Sequence, residues 1–550
     1  MTKAINWCKS NPILTVILAL CIGYGIFYLA SAVKWIPYPN QIDYGEGLIM
    51  YINNMWATGT WKWDLNISPY IPLMYGVTMP LLFAPLIKVF GSDLWLGRTV
   101  MFISTLIICW LLYLIAKRIT GKKVYGIIAG LLPLTHPVIR DWSLMARVDM
   151  LAVMLSFVGF YIVVRYKDSK WIYLSILFFT ITLLTKISVV SGIGATLIYL
   201  LIYNRKTFYK YFPLTLLAII SSFALMGIIT KGAYFDHILL YNATVNTFWN
   251  LATIITNVSI VILPMIVVSA IALIFTAKIL RKKYRTGLNV LIALFFVIAM
   301  VTNFASALRP GGFINYYLEF IFGACLCVSI ILPSIIGKVE MEYRTKGKVL
   351  ANGFLVMLLI VNFSTICYKH AFPFPNEKYT AEAKIVTEII KNTDKPVVTE
   401  NFGLVTNARK HIVCEHLLAT NAAVLGTLDD TAYVNSFREQ YYDFIILRVP
   451  TYKRTGGDWH FKKEIIDLID KNYTLIYEPE ENFYWYGLCV YKSNNTLTEG
   501  DIQDITAIER KGEGSLLDYT KGMPKKYFPG EKVGGSLWIQ MANLISGVFK

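Results

Sequence analysis

Residues 12–47 read PILTVILALCIGYGIFYLASAVKWIPYPNQIDYGEG, an apolar run followed by a polar turn in which glycines flank two carboxylates, Asp43 and Glu46. Lys3 and Lys9 precede the run. About 18 or more apolar residues suffice to cross a bilayer, and positively charged flanks stay on the cytoplasmic side. The stretch therefore reads as a membrane helix over residues 12–34, with its acidic turn on the opposite face. A basic start before an apolar run also outlines a signal peptide. The run of about 20 residues and the lack of a small-residue cleavage site ahead of a soluble chain favour a retained helix.

The rest of the chain extends that pattern. It has 550 residues, 56% hydrophobic and 16% charged, with a mean hydropathy of +0.52. Water-soluble domains are nearer a quarter charged, so the chain reads as a polytopic α-helical membrane protein. The net charge of +17 does not point to nucleic acid, because it sits in short loops between apolar segments and no RNA-binding motif accompanies it. These loops are Lys117/Arg118/Lys122/Lys123, Arg165/Lys167/Lys170, Arg205/Lys206/Lys210, residues 278–285 and residues 338–348. Keeping all of them cytoplasmic gives about eleven spans. They run near 12–34, 95–116, 124–139, 149–165, 171–185, 188–203, 211–230, 253–277, 287–307, 314–336 and 348–367. A single helix over 171–203 would put the flanking basic loops on opposite sides, so charge parity predicts two short helices turning near Lys186.

Residues 35–94 carry the acidic turn, Trp56, Trp61, Trp63, Pro69 and Pro72, and an apolar run from Met79 to Phe90 that is too short to span. Such a composition predicts segments lying in the interface. After Ile366 the chain becomes polar. Residues 395–400 and 442–447 read as strands, and residues 382–391 and 461–471 as amphipathic helices. The expectation is a membrane domain over 1–367 and an α/β domain over 368–550, outside the cytoplasm by span parity. Residues 538–549 form a further amphipathic stretch that suits docking on a membrane or on that domain. Eight cysteines show no metal-ligand spacing. Cys414 and Cys489 share the polar part, where spacing alone gives no warrant for a disulfide.

On the non-cytoplasmic face the topology gathers Asp43, Glu46, Asp141, Asp149 and Asp236 with Arg98, Arg140, Arg147, Lys186, Lys231 and Arg309. Ionisable groups near membrane depth are costly and need partners or a function. Asp43 reads equally as a general base toward a hydroxyl and as the N-cap of a capping box closed by Glu46. Asp149 reads as an N-cap, with Arg147 straddling the same helix start. Arg140, Arg147, Lys186 and Arg309 suit a phosphate at headgroup level, against which stands interfacial snorkelling. Residues 309–317 break a helix with Pro310, Gly311 and Gly312 and lead into Asn315, Tyr316 and Tyr317, exposing amides that suit an anion.

In their order these pieces resemble the GT-C superfamily of integral-membrane glycosyltransferases, in its family-39-like branch of protein mannosyltransferases and aminoarabinose transferases. The pieces are Asp43-Tyr-Gly-Glu46, Tyr70-Ile-Pro72-Leu-Met-Tyr75 opening an interfacial helix, Gly97-Arg98, Ala146-Arg147-Val-Asp149, Leu184-Thr185-Lys186, and Gly312 with Asn315-Tyr316-Tyr317. The resemblance implies transfer of a sugar, with inversion, from a polyprenyl-phosphate donor to a glycan, lipid or protein acceptor outside the cytoplasm. It implies a catalytic base at Asp43, with Glu46 second, and a donor phosphate held by Arg147, Lys186 and Arg309. Asp149, Asn315, Tyr316, Arg98 and Tyr70 are further site candidates. It implies no obligatory cofactor and no metal. The expected location is the plasma membrane, N-terminus cytoplasmic, with the C-terminal domain outside and suited to acceptor recognition. Two other functions remain open: a transporter or flippase of lipid-linked sugars, and an oligosaccharide ligase using a diphosphate carrier.

Overall fold

Long apolar runs without internal breakers become helices, and their unpaired faces show what solvent they expect. The Arg205–Ile229 helix is apolar almost all round, and nearly none of its apolar window is buried in protein. Leu217, Ile220, Ile228 and Ile229 are among its exposed side chains. A surface of that kind is stable in hydrocarbon, where a helix satisfies its own backbone. Among the described residues, six helices are long and apolar enough to cross a membrane, including Leu94–Thr120, Asp149–Tyr166 and Gly287–Ala307. The chain is thus a multi-pass membrane protein.

The computed structural model describes residues 2–64, 69–241, 266–280, 287–307, 313–345, 377–454, 460–479 and 488–498. Arg309, the span expected at 348–367 and the stretch 538–549 lie outside the described residues. The chain divides into two compact units. One comprises Met1–Asp64, Pro72–Ala243 and Asn257–Pro375; the other comprises Leu65–Ile71, Thr244–Thr256 and Asn376–Lys550.

Among the described residues of the first unit, several expected spans are realised with small shifts, among them Pro12–Trp35 for the first and Leu318–Thr345 for the tenth, the latter entered through a 3-10 turn over Ile314–Tyr317, while residues 253–265 of the expected eighth span lie outside the described residues. The helix Leu174–Thr185 ends at Lys186, whose extended backbone (φ −151°, ψ 111°) leads into the helix Ser191–Tyr203. This is the break that charge parity predicts. The third expected span, 124–139, is less regular, split into Lys123–Leu131, a 3-10 turn at Leu132–Thr135 and Pro137–Trp142. Pro133 and Pro137 remove two amide donors there, so no single α-helix can run through. Between the first two spans lie Tyr44–Thr58, closed by Gly59 in the left-handed conformation, and Thr78–Phe90.

The second unit contains a four-stranded sheet of order β1-β2-β4-β3, with β1 Val398–Thr399, β2 Phe444–Leu447, β3 Tyr473–Tyr477 and β4 Cys489–Ser493. β1 runs parallel to β2, and the other pairs are antiparallel. β2 is buried on both faces, which its continuous Phe-Ile-Ile-Leu composition requires. The Lys463–Asn472 helix buries Ile465, Ile466 and Ile469. Beside the sheet, Glu400 is buried and accepts from Arg454 Nη2 at 2.5 Å and from the Arg448 amide at 2.7 Å. Burial opposes its charge, but Arg454 and Arg448 outweigh it and hold the carboxyl well below the usual range. Cys414 and Cys489 are buried and are not joined by a disulfide.

Candidate functional site

The acidic turn folds as a capping box. Asp43 is extended (φ −124°, ψ 147°) and caps the Tyr44–Thr58 helix: its Oδ2 accepts from the Gly45 amide at 2.9 Å, and Glu46 stands at the third helical position with its side chain turned back. Local structure therefore realises the capping reading, and the two carboxylates then diverge. Glu46 is fully buried and meets Arg98, also fully buried, in a two-pronged pair: Nε to Oε1 and Nη2 to Oε2, both 2.9 Å. Glu46 also accepts from the Ile42 amide at 2.6 Å and the Ala146 amide at 2.7 Å. Burial raises the cost of its charge, but Arg98 and these amides prevail and its affinity for a proton falls. The remaining Arg98 donors reach the carbonyls of Trp35 (2.9 Å), Tyr38 (2.5 Å) and Asn40 (2.8 Å). Glu46 and Arg98 form a strut that ties the acidic turn to the Leu94–Thr120 helix and to the segment before Arg147.

Asp43 keeps a more open position. Its Oδ2 faces Arg147 Nη1 at 2.9 Å. Burial pushes its carboxyl above the ordinary aspartate range, and Arg147 beside it only partly reverses this. Arg147 Nη2 donates to the Tyr75 hydroxyl at 2.9 Å, and its Nε lies 4.0 Å from Asp149 Oδ2. The guanidinium also lies over the Trp142 ring, 5.6 Å from its centroid, within cation–π range. Gly45 makes room for it: a β-carbon there would overlap Nη1 and stand 2.7 Å from Cζ.

Asp149 is not an N-cap. Val148 holds that position, and Asp149 is the first residue of its helix. Its carboxylate turns sideways because three donors converge on it: the Lys186 ammonium in an ion pair, Asn315 Nδ2 at 2.8 Å and Trp142 Nε1 at 2.9 Å. Lys186 stands over the Tyr316 ring at 4.4 Å and the Tyr75 ring at 5.9 Å. Tyr75 is brought there by its neighbour Gly76, whose amide donates to the Thr185 carbonyl at 3.1 Å; a β-carbon at Gly76 would overlap the Leu184 carbonyl. Upstream, His237 Nδ1 accepts from the Leu73 amide at 2.8 Å, so Nε2 carries the proton toward the Trp63 carbonyl at 2.9 Å. A small cavity opens beside the pair, lined by Asp149, Lys186, Asn303, Asn315, Tyr316 and Glu319 among others.

The site is thus a row of alternating charge, Asp43, Arg147, Asp149 and Lys186, from three separate chain segments. It brings together Asp43, Arg147, Asp149, Lys186, Asn315 and Tyr316. Arg98 and Glu46 stand behind it as support. Tyr70 does not open a helix; Thr78 does. Tyr70 belongs to the second unit, where its backbone pairs with the Cys414 segment (Tyr70 amide to Val413 carbonyl, 2.8 Å) and its ring packs on Tyr433. Arg140 turns away to Asp141 at 2.8 Å. Trp142 and Glu319 are not among the residues that the sequence singles out for the site, and Tyr75 enters there only as the end of the Tyr70–Tyr75 motif. Glu319 is buried and accepts from Ser156 and Ser191 at 2.9 and 2.6 Å. An intramembrane carboxylate was the available signal there. Among the described residues, no group of His, Cys, Asp and Glu side chains could hold a metal ion.

Residues 76–229 match the family model described as dolichyl-phosphate-mannose-protein mannosyltransferase. That segment contains Arg98, Arg147, Asp149 and Lys186; Asp43 and Tyr75 precede it. No curated protein sequence matches the chain significantly. Among solved structures, ArnT from Cupriavidus metallidurans bound to undecaprenyl phosphate superimposes with a TM-score of 0.55 at 12% identity, covering 85% of this chain and 98% of that one. Its apo form gives 0.54 at 12% identity, covering 86% and 98%. The archaeal oligosaccharyltransferase AglB from Archaeoglobus fulgidus, in complex with an inhibitory peptide and a dolichol-phosphate, gives 0.49 at 11% identity, covering 90% and 75%. The chain shares the GT-C fold of these ArnT structures, and its residues 76–229 are similar to the dolichyl-phosphate-mannose-protein mannosyltransferase family.

Proposed function

We propose that this protein is a membrane glycosyltransferase that moves a sugar from a polyprenyl-phosphate carrier to an acceptor hydroxyl on the non-cytoplasmic side, with inversion. The observation that carries this reading is the charge row, in which the Asp43 carboxylate stands beside Arg147, and Arg147 and Lys186 flank Asp149. Asp43 takes the acceptor proton as the acceptor oxygen attacks the anomeric carbon. The bond from that carbon to the phosphate oxygen breaks, and its electron pair stays on the phosphate. Arg147 and Lys186 stabilise the charge that develops there, which is the usual source of most of the rate in such sites. A polyprenyl phosphate is a competent leaving group once neutralised, so the carrier needs no nucleotide. Positioning and one base suffice. ArnT from Cupriavidus metallidurans, which shares this fold, is bound to undecaprenyl phosphate, and this supports a lipid-phosphate ligand.

The test is transfer in proteoliposomes holding a panel of radiolabelled polyprenyl-phosphate sugars and a membrane extract as acceptor source. The proposal expects label to leave the carrier for an acceptor and free polyprenyl phosphate to accumulate in equal amount. Carrier that crosses the bilayer with its sugar intact would establish the flippase reading instead.

A further inference from the structure

The two cations assigned to the donor phosphate are both engaged by carboxylates, but not equivalently. Lys186 is enclosed: Asp149 pairs with it, Asp149 is itself fixed by Asn315 and Trp142, and two tyrosine rings flank the ammonium. Arg147 is more open, its side chain 13% exposed against 6% for Lys186. One edge of its guanidinium is spent on Asp43 and Tyr75, while its Nε is buried without a hydrogen-bond partner. Arginine grips phosphate with two parallel donors, and here one prong of that fork is held by Asp43.

We propose that Arg147 is an exchangeable clamp that holds Asp43 until a lipid phosphate draws it away, so that donor binding itself uncovers the base. This rests on the function proposed above. A phosphate in front of the row offers Arg147 the two oxygens that its fork suits, and Asp43 then loses its cation. A carboxylate without its counter-charge is the stronger base, so the base is armed only when there is a sugar to transfer. Gly45 provides the berth in which the guanidinium rests in the meantime, and the Arg98–Glu46 strut keeps Asp43 in place as Arg147 moves. The clamp also protects the site. An ion-paired Asp43 is held from solvent protons and from activating water in the absence of an acceptor.

The experiment uses the full chain in phosphatidylcholine nanodiscs, with undecaprenyl phosphate as the probe. Binding is measured for wild type, Asp43→Asn, Arg147→Met and the double variant. Asparagine is as good an N-cap as aspartate, so Asp43→Asn retains the turn; a thermal melt matching wild type verifies this. Because Arg147 no longer has to leave a carboxylate, Asp43→Asn is expected to bind the probe about tenfold or more tightly. In the Arg147→Met background the same change is expected to have no such effect. Equal or weaker binding by Asp43→Asn would overturn the clamp, as would equal tightening in both backgrounds, which would show general charge repulsion. Sugar transfer measured on the same samples separates the two ideas. Transfer that persists in Asp43→Asn refutes the base assignment, whereas lost transfer with unchanged binding refutes the clamp alone.

Discussion

Replacing Gly45 with alanine sets a local preference against a tertiary one, and the sign of the result decides which account of the site holds. Gly45 lies in the first turn of the Tyr44–Thr58 helix, where alanine is favoured over glycine by up to about 1 kcal/mol. Its added methyl would occupy the place of the Arg147 guanidinium. That group is the end of a flexible side chain, so it moves aside and the backbone does not. The loss is electrostatic: Asp43, mostly buried, gives up its cation. Breaking a buried pair from one side costs about 3–5 kcal/mol. Set against the helix gain, Gly45→Ala should be less stable by about 2–4 kcal/mol. In an Arg147→Ala background the space is empty, and the same substitution should stabilise by about 0.5–1 kcal/mol. Equilibrium unfolding in mixed micelles, run on all four members of the cycle, reads both numbers. Stabilisation by Gly45→Ala in the wild-type background would refute the placement of Arg147 against this turn.

Arg98→Ala leaves the Glu46 carboxylate and three carbonyls without their donor, so a destabilisation of about 3–5 kcal/mol is expected by the same unfolding measurement; a loss below about 1 kcal/mol would show that the strut carries nothing. Because burial raises the Asp43 carboxyl above the ordinary aspartate range, the acid limb of the transfer rate against pH should lie above that of a free aspartate, about 3.9. A limb at or below that value would contradict the buried setting. In the second unit the Glu400 carboxyl is depressed, so its contribution to stability is present above the ordinary glutamate value and is lost as pH falls below about 4.3; in Glu400→Gln, acid melts of the full chain should lose that component. Lys186→Met should weaken undecaprenyl phosphate binding more than tenfold, because it removes the enclosed cation and leaves the buried Asp149 with only the more distant Arg147 as counter-charge; unchanged affinity would remove Lys186 from the phosphate site.

What the sequence revealed here was local or periodic. The Gly287–Ala307 span is legible because its apolar run has no breakers, and the Lys186 turn because basic loops must stay on one side. The capping box is legible from an acid followed three residues later by Glu46. That local reading does not exclude a second role for Asp43, and it gives no hint of the difference between the two acids. The difference comes from Arg98, 52 residues along the chain from Glu46, and from Arg147 across the Gly45 gap. Long-range pairings leave no spacing signal. For the same reason Asp149 reads as a cap from its place at a helix start, and Tyr70 as a helix opener from its neighbours. In the structure one is drawn to Lys186 and the other to the Cys414 segment. β3 and β4 escaped notice because Tyr473–Tyr477 follows a helix without a break and Cys489–Ser493 is a short polar-tipped run.

The central claim is that Asp43 removes the acceptor proton during transfer from a lipid-phosphate donor. Single-turnover transfer from a labelled polyprenyl-phosphate sugar tests it most directly, comparing wild type, Asp43→Asn and Glu46→Gln at equal, verified folding. The account predicts that Asp43→Asn abolishes transfer while undecaprenyl phosphate still binds, and that Glu46→Gln lowers transfer only in proportion to its loss of stability. Transfer at the wild-type rate in Asp43→Asn would contradict it.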